Sequence, residues 1–389
     1  MRSDQPEWDV LIVGAGITGL ALGLVLHQGG LRVRVMDRRP LQRFVPSPVF
    51  DTRIYAMNHA SEAFLQRAGG WSLMDPARCQ VIRGMEIRGD RQGHLALQAE
   101  PGQSMGCIVE AGAMLEGLRL WQQRVAPELL EEGAVSWDTV RQTSQAMVLE
   151  AGGRSYAARL LVACDGISSG LRAAMGIHAY FSGYGQTALV ANYRIAGNHQ
   201  GVARQWFLPG EVIALLPLPG PHVSLVWSAR TDRAAQWLAQ DSATRTALLQ
   251  AQVGYGLGQL SECSAPQGFE LRRMSVERWV LPRFALAGDA AHGVHPMAGQ
   301  GLNLGLGDAK TLADILLGRS PGPDVGDLSL LRRYERARRE PVARMQTLTA
   351  GLDQLFKSGG PWPALRNWGM RCLNARSRAK RQLIVQANQ

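Results

Sequence analysis

The chain has no apolar run of the ~18–20 residues that a bilayer-spanning helix needs. It opens on Met1-Arg-Ser-Asp-Gln-Pro-Glu-Trp8, which is polar and has no hydrophobic stretch or small-residue cleavage site. No secretory leader is expected, so the reading is a cytoplasmic protein. Cysteine is scarce: Cys79, Cys107, Cys164, Cys263 and Cys372 are five, widely spaced, with no Cys-x-x-Cys. An odd, scattered set fits buried thiols, not a disulfide framework or a cysteine zinc site. Lysine is nearly missing, with Lys310, Lys357 and Lys380 the only three among 42 basic residues. Internal repeats and low-complexity tracts are absent too. What remains is a foldable composition of 389 residues, 46% hydrophobic and 19% charged. That excludes bulk disorder and allows two or three domains, or one sheet with long insertions. The net charge is +10, yet residues 332–389 alone hold 13 Lys/Arg against 3 Asp/Glu, so the first 331 sum to zero. A neutral body with a basic tail lacks the basic groove that nucleic acid requires.

Asp9 to Arg39 reads as one βαβ unit: the apolar strand Val10–Val13, a glycine turn, a helix over Leu20–Gln28, and a second strand over Leu31–Met36. Continuous apolar strands of this kind belong in a buried parallel sheet. Further on, the pattern predicts a helix over Arg53–Ala68, strand alternation over Val81–Gln98, and a long helix over Ala113–Glu132. Strand-like pieces follow near Val135–Val140 and Ala146–Ala151, then a buried strand over Arg159–Ala163. Gly183 to Arg273 turns β-rich, with one inserted helix over Asp232–Val253. A strand at Arg283–Ala287, a helix over Gly301–Leu317, a Gly/Pro linker over Gly318–Asp327 and two terminal helical segments complete the chain.

Three motifs carry chemistry. Gly14-Ala-Gly16-Ile-Thr-Gly19 matches G-x-G-x-x-G, follows a strand and opens a helix, with Asp37 closing the next strand at about the ribose-binding offset. Such glycines let backbone N–H groups approach a pyrophosphate at a helix N-terminus. Asp37 favours a free ribose 2′-hydroxyl, and on this motif alone FAD and NAD both fit. Gly254-Tyr-Gly256-Leu-Gly258 lacks the preceding strand and following acid, so it reads as a loop. The second motif, Cys164-Asp165-Gly166, and the third, Gly288-Asp289, each close a strand, on the side where open α/β sheets bind ligands. Asp289 is suited to accept hydrogen bonds from ribityl hydroxyls. The helix starting near Gly301 can turn its positive end to the flavin pyrimidine edge.

The ordered set resembles the group A flavoprotein monooxygenases of the p-hydroxybenzoate hydroxylase type. The string from Gly288 to Gly305, together with Asp51-Thr-Arg53-Ile-Tyr-Ala-Met57, Tyr334–Arg339 and Gly351–Phe356, is similar to the ubiquinone-biosynthesis ring hydroxylases of the UbiH/UbiF/VisC type. The resemblance implies an α/β fold: a Rossmann-like FAD-binding domain with an interleaved β-sheet substrate domain and a C-terminal helical segment. It implies FAD-binding segments at 1–80, 106–180 and 276–320, substrate-domain segments at 81–105 and 181–275, and basic C-terminal helices at 328–389. FAD contacts carry over to Gly14, Gly16, Gly19, Asp37, Arg38, Arg53, Asp289, Gly299, Gln300, Gly301, Leu302 and Asn303, and Asp165 is expected at the cofactor site through its backbone or from behind the contacting residues. Asp37 stands where family members often have Glu, which should change the ribose contact without abolishing it.

The implied activity is hydroxylation of the ring of a polyprenylated phenol or quinol by O2 through a flavin C4a-hydroperoxide, with NAD(P)H as a transient donor. No side-chain acid/base is required, since the chemistry is borne by the flavin and the protein supplies position and dryness. His292 and Pro296 are the candidates beside the flavin loop. His292 and His295 form a His-x-x-His pair, but no third ligand cluster accompanies them and no metal is expected. Tyr55, Tyr184 and Trp206 are candidates for the substrate site, or for plain core. Other readings stay open: a monooxygenase of a small soluble aromatic acid, or a non-catalytic flavoprotein assembly subunit. No Trp-x-Trp-x-Ile-Pro string supports a halogenase.

The tail has an apolar stripe at Met345, Leu348, Leu352, Leu355 and Phe356. Beyond it, Trp362, Leu365, Trp368, Leu373, Leu383 and Ile384 interleave with Arg366, Arg371, Arg376, Arg378, Lys380 and Arg381. A docked helix with a solvated basic face, a peripheral inner-membrane surface and a site for ubiquinone-biosynthesis proteins all fit that pattern.

Overall fold

A computed structural model describes residues 5–90, 93–133, 137–294, 300–320 and 322–357, together with 367, 369–372 and 374. The expectations placed on His295, Pro296, Gly299 and most of the tail (Trp362, Leu365, Arg366, Trp368, Leu373, Arg376, Arg378, Lys380, Arg381, Leu383 and Ile384) lie outside the described residues.

Five parallel strands form the centre, in the order Phe284–Leu286, Arg154–Ala163, Trp8–Val13, Val33–Asp37 and Leu130–Glu132. Val10, Leu11, Ile12, Leu160, Leu161 and Val162 are all completely buried. Continuous apolar strands are what a sheet covered on both faces demands. Trp137–Gln142 and Met147–Ala151 extend this sheet as an antiparallel meander on the first half of Arg154–Ala163. The helices Ile17–Gln28, Ala111–Val125 and Gly301–Leu317 pack around it and share its core.

A second, nine-stranded sheet is entered three times, first by Gly84–Arg88 and His94–Gln98, then by the strands between Ala179 and Val276, and last by His292–Gly293. Its pairing is antiparallel except where Val202–Leu208 meets Gly84–Arg88. Trp227 and Trp237, with ring centroids 5.7 Å apart, join it to the two helices that cover one face. Its edge strand His292–Gly293 leaves directly from the Gly288–Ala290 turn and pairs with Ser275 and Met274. The Gly-Asp turn is therefore the junction between the two sheets.

Several predicted elements are corrected. Arg53–Ala68 is not one helix: Ile54–Met57 is a strand antiparallel to Cys107–Glu110, and the helix is His59–Arg67. Asn58 starts that helix by accepting the Ser61 N–H at 2.9 Å. The long helix ends at Val125 because Pro127 follows and disfavours helical geometry at Ala126. Leu130–Glu132 instead becomes a strand of the parallel sheet. Asp232–Val253 is two helices, Thr231–Leu238 and Ser242–Val253, divided where Asp241 caps the second by accepting the Thr244 N–H at 2.8 Å.

The C-terminal helix Leu328–Lys357 ends with Phe356 against Phe207, ring centroids 4.5 Å apart. Leu348 leaves the expected apolar stripe and is 55% exposed, whereas Phe356 is buried. Beyond it, Asn367 accepts the Gly93 N–H and donates to Asp90, both at 2.7 Å. This part of the tail is docked on the Gly84–Gln98 hairpin.

Candidate active site

Register brings the three motifs together. Val13 lies opposite both Ala163 and Met36, and Ala163 lies opposite Leu286. The turns that follow these residues therefore share one edge of the sheet, the C-terminal edge where ligands bind. Backbone bonds knit them: Gly14 N–H to Met36 O at 2.8 Å, Cys164 N–H to Val13 O at 2.7 Å, and Ala287 N–H to Ala163 O at 3.0 Å.

The three fingerprint glycines are present for different reasons. Gly14 has φ +109°, and a Cβ there would stand 2.3 Å from the Cys164 carbonyl oxygen. A Cβ on Gly19 would fall 1.9 Å from the Gly14 carbonyl oxygen. Gly16 has no protein atom within 4 Å of its would-be Cβ, and the helix it opens has no side-chain cap. Free N–H groups and the positive helix end thus face an open cradle, the environment a pyrophosphate takes.

Asp37 closes the second strand, but its carboxylate also braces the turn. One oxygen accepts the Ala15 N–H at 2.8 Å, the other the Arg39 N–H at 3.0 Å. Asp165 accepts the Leu171 N–H at 3.3 Å through one oxygen, and its other oxygen is buried with no protein partner. Arg172, itself buried, donates to Ile167 O and Ala290 O, both at 2.9 Å, and so ties the second turn to the third. Asp289 is reached by solvent, yet protein surrounds it closely, and this crowding raises its pKa. The nearby charges of His292 and Arg53 pull it back down, and that of Asp308 pushes it up. Arg53, predicted from a distant motif, is therefore in electrostatic reach of Asp289. Arg38 is exposed beside Asp37.

Gln300, Gly301 and Leu302 are half-buried at the start of the helix Gly301–Leu317. That helix approaches the Gly-Asp turn closely, since a Cβ on Gly305 would sit 3.3 Å from the Gly288 Cα. Asn303 uses its side chain to hold the helix to the Ile54–Met57 strand: it donates to Ala56 O at 2.8 Å and accepts the Asn58 N–H at 3.2 Å. His292 is buried, with its Nε2 bound to Asp308 at 2.6 Å. Among the described residues no three His, Cys, Asp or Glu side chains are grouped to hold a metal. Trp206 belongs to the core of the nine-stranded sheet, Tyr55 is half-buried against the central core, and Tyr184 is half-buried.

Two buried charged clusters were not anticipated. Glu110 holds Arg78 through two hydrogen bonds, the Nη2–Oε1 one at 2.7 Å, and accepts the Asp51 N–H at 2.6 Å. The Arg78 guanidinium also lies 4.2 Å from the Phe50 ring centroid. Together they fix the loop that delivers Arg53. Asp308 pairs with both His292 and Arg338. Of its members, His292 had a sequence signal as a candidate beside the flavin loop and Arg338 through the Tyr334–Arg339 motif, whereas Asp308 had none.

Residues 7–349 match the FAD binding domain family. The chain is 33% identical to the ubiquinone hydroxylase UbiL of Rhodospirillum rubrum, over 90% of this chain and 82% of that protein. It is 31% identical to the 3-demethoxyubiquinol 3-hydroxylase of Escherichia coli, over 99% of each. In fold it is similar to p-nitrophenol 4-monooxygenase from Pseudomonas putida, with a TM-score of 0.77, 18% identity and 99% of each chain covered. It is also similar to a variant of Klebsiella pneumoniae HpxO complexed with FAD, with a TM-score of 0.72, 17% identity and 98% of each chain covered. On these grounds the chain belongs to the FAD-binding-domain family of flavin-dependent monooxygenases, alongside the ubiquinone-biosynthesis hydroxylases.

Proposed function

We propose that this protein hydroxylates the aromatic ring of a polyprenylated phenol or quinol in ubiquinone biosynthesis, with O2 as co-substrate and NAD(P)H as transient donor. The observation that carries the reading is the convergence of three strand-end turns beside the open cradle at Gly16, in a chain alignable end to end with a demethoxyubiquinol hydroxylase. When bound and reduced by NAD(P)H, FAD would supply the two electrons that let one oxygen atom of O2 enter the ring while the other leaves as water. The chain's own residues bind and orient. Gly14 and Gly19 shape the turn so that the N–H groups at the helix start, from Gly16 on, hold the pyrophosphate, and Asp37 holds the adenosine ribose. Arg38 and Arg53 neutralise phosphate charge. Asp289 accepts from the ribityl hydroxyls, and the unpartnered oxygen of Asp165 takes a cofactor hydroxyl or an ordered water. The start of the helix at Gly301 presents N–H groups and a positive dipole end to the flavin pyrimidine edge. The central sheet with its helices forms the FAD-binding unit, and the nine-stranded sheet walls the substrate side.

Among the described residues no helix is long and apolar enough to cross a membrane. The proposed location is cytoplasmic and peripheral on the inner membrane, held by the basic tail, each basic residue near anionic lipid contributing about 1 kcal/mol. Quinone-intermediate profiling in a deletion strain tests the activity: accumulation of a ring-unhydroxylated prenylated precursor supports it, and an unchanged quinone profile refutes it. Removal of residues 361–389 tests the location, since unchanged co-sedimentation with anionic liposomes counts against a tail-mediated contact.

A further inference from the structure

The Gly288–Ala290 turn rests on a buried carboxylate that none of the three motifs includes. Asp308, in the helix Gly301–Leu317, is completely buried. Its Oδ2 accepts the Gly288 N–H at 2.9 Å and the His292 Nε2–H at 2.6 Å. Its Oδ1 accepts the Arg338 Nε–H at 2.7 Å, and Arg338 also donates to Leu304 O at 3.1 Å. Gly307 makes room for this guanidinium, since a Cβ there would lie 2.8 Å from an Arg338 Nη. One turn earlier, the Tyr334 hydroxyl donates to Leu286 O at 2.8 Å. The Tyr334 ring meets Trp279, whose ring centroid is 5.2 Å from that of His292. The C-terminal helix thus reaches the end of the Phe284–Leu286 strand and the turn after it through one hydroxyl and one ion pair.

The charges matter because Asp289 is so close. The charged groups around it are Arg53 from the loop before the Ile54–Met57 strand, His292 from the strand that follows the turn, and Asp308 from the helix Gly301–Leu317. Arg172 binds the adjoining Ala290 carbonyl. Burial works against ionisation of Asp308, but the charges and hydrogen bonds of His292 and Arg338 outweigh it and hold its pKa below the ordinary value. An Asp308 without Arg338 is a less compensated negative charge beside Asp289, and like charges drive a carboxyl toward its neutral form.

We infer that Arg338 and Asp308 are positioning residues for cofactor binding: Arg338 neutralises Asp308, and Asp308 fixes the Gly288 N–H and the His292 ring so that the turn presents an ionised Asp289 to the flavin ribityl chain. The inference rests on the reading of Asp289 as a cofactor ligand. Arg338→Gln keeps a hydrogen-bond donor and removes the charge, Arg338→Lys keeps the charge, and Arg338→Gln with Asp308→Asn removes both charges. The dissociation constant of FAD is measured by quenching of flavin fluorescence from about pH 5 to about pH 8, above the ordinary carboxyl pKa of about 4. Thermal unfolding of each apoprotein is measured beside it.

Arg338→Gln is expected to weaken FAD about tenfold or more, with its binding lost at a higher pH than in the wild type as the solution is acidified. Arg338→Lys is expected to restore binding, and the double variant to bring the pH midpoint back toward the wild-type value. A purely structural role lowers apoprotein stability in Arg338→Gln without moving the FAD pH profile, and that result overturns the inference. Should Arg338→Gln fail to fold, the Lys and double variants decide: a double variant with a wild-type profile supports the charge account, and one displaced in the acid-sensitive direction refutes it. If the wild-type protein binds no FAD, the cofactor reading itself fails. If Asp289→Asn loses FAD while Arg338→Gln keeps it with an unaltered profile, only this inference fails.

Discussion

Gly16→Ala separates a glycine kept for the fold from one kept for a ligand. Backbone conformation gives no objection to alanine, since φ is −65° and ψ 177° at this position. The apoprotein should therefore respond weakly. Loss of glycine's freedom in the unfolded chain stabilises by about 0.4–1 kcal/mol, and the poorer helix cap costs about as much. With about 2 cal/mol/K per residue of unfolding entropy, 389 residues give about 0.8 kcal/mol/K, so the apo Tm should move by no more than about 1 °C. FAD should behave differently, because the new methyl occupies the cradle in which no protein atom lies within 4 Å. A ligand at a hundred times its Kd stabilises by about 2.7 kcal/mol, which on the same entropy is a rise of about 3 °C. Differential scanning fluorimetry with and without FAD reads both quantities. The wild type should show the rise, and Gly16→Ala should lose it while its apo Tm holds. A variant that keeps the full FAD shift, or whose apo form drops by several degrees, refutes the assignment of that cradle to the pyrophosphate.

Gly14→Ala should do the reverse, destabilising the apoprotein by at least about 2 kcal/mol in urea titration, because its Cβ meets the Cys164 carbonyl at 2.3 Å on a backbone with positive φ. Asp289→Ala should purify largely colourless, and full flavin occupancy by absorbance would remove Asp289 from the site. Because the pKa of Asp289 is raised in the fold, its contribution to apoprotein stability is present at low pH and lost as pH rises through that raised value; Asp289→Asn should abolish this part of the pH dependence of urea unfolding. Asp308 has the opposite sign: its pKa is lowered, so its contribution is present at neutral pH and lost as pH falls through the depressed value, and Asp308→Asn should flatten the acid limb of the same profile. Glu110→Gln leaves the Arg78 charge buried without its partner and should cost about 3–5 kcal/mol by denaturant unfolding.

The parallel strands and the glycine turn were legible because local pattern and global role coincide there: Val10–Val13 is apolar throughout, and Gly14 and Asp37 flank a helix of ordinary length. The misread elements are those where tertiary pairing overrides local texture. Ile54–Met57 sits inside a helix-like stretch, and only Cys107–Glu110, far along the chain, makes it a strand. Asp241 looked like a polar helix residue, and its capping of Thr244 breaks the helix in two. The buried ion pairs were illegible for the same reason. Arg78 and Glu110 are 32 residues apart and Asp308 and Arg338 are 30 apart, and no periodicity links such partners before the chain folds.

Hydrogen–deuterium exchange of the apoprotein against the FAD-saturated protein tests most directly whether one flavin nucleotide gathers the three strand ends. The account predicts simultaneous slowing of amide exchange at 14–20, at 165–171 and at 288–292, with the helix start at 300–304 slowed as well. Protection confined to a single one of these turns, or spread over the nine-stranded sheet while they exchange freely, would contradict it.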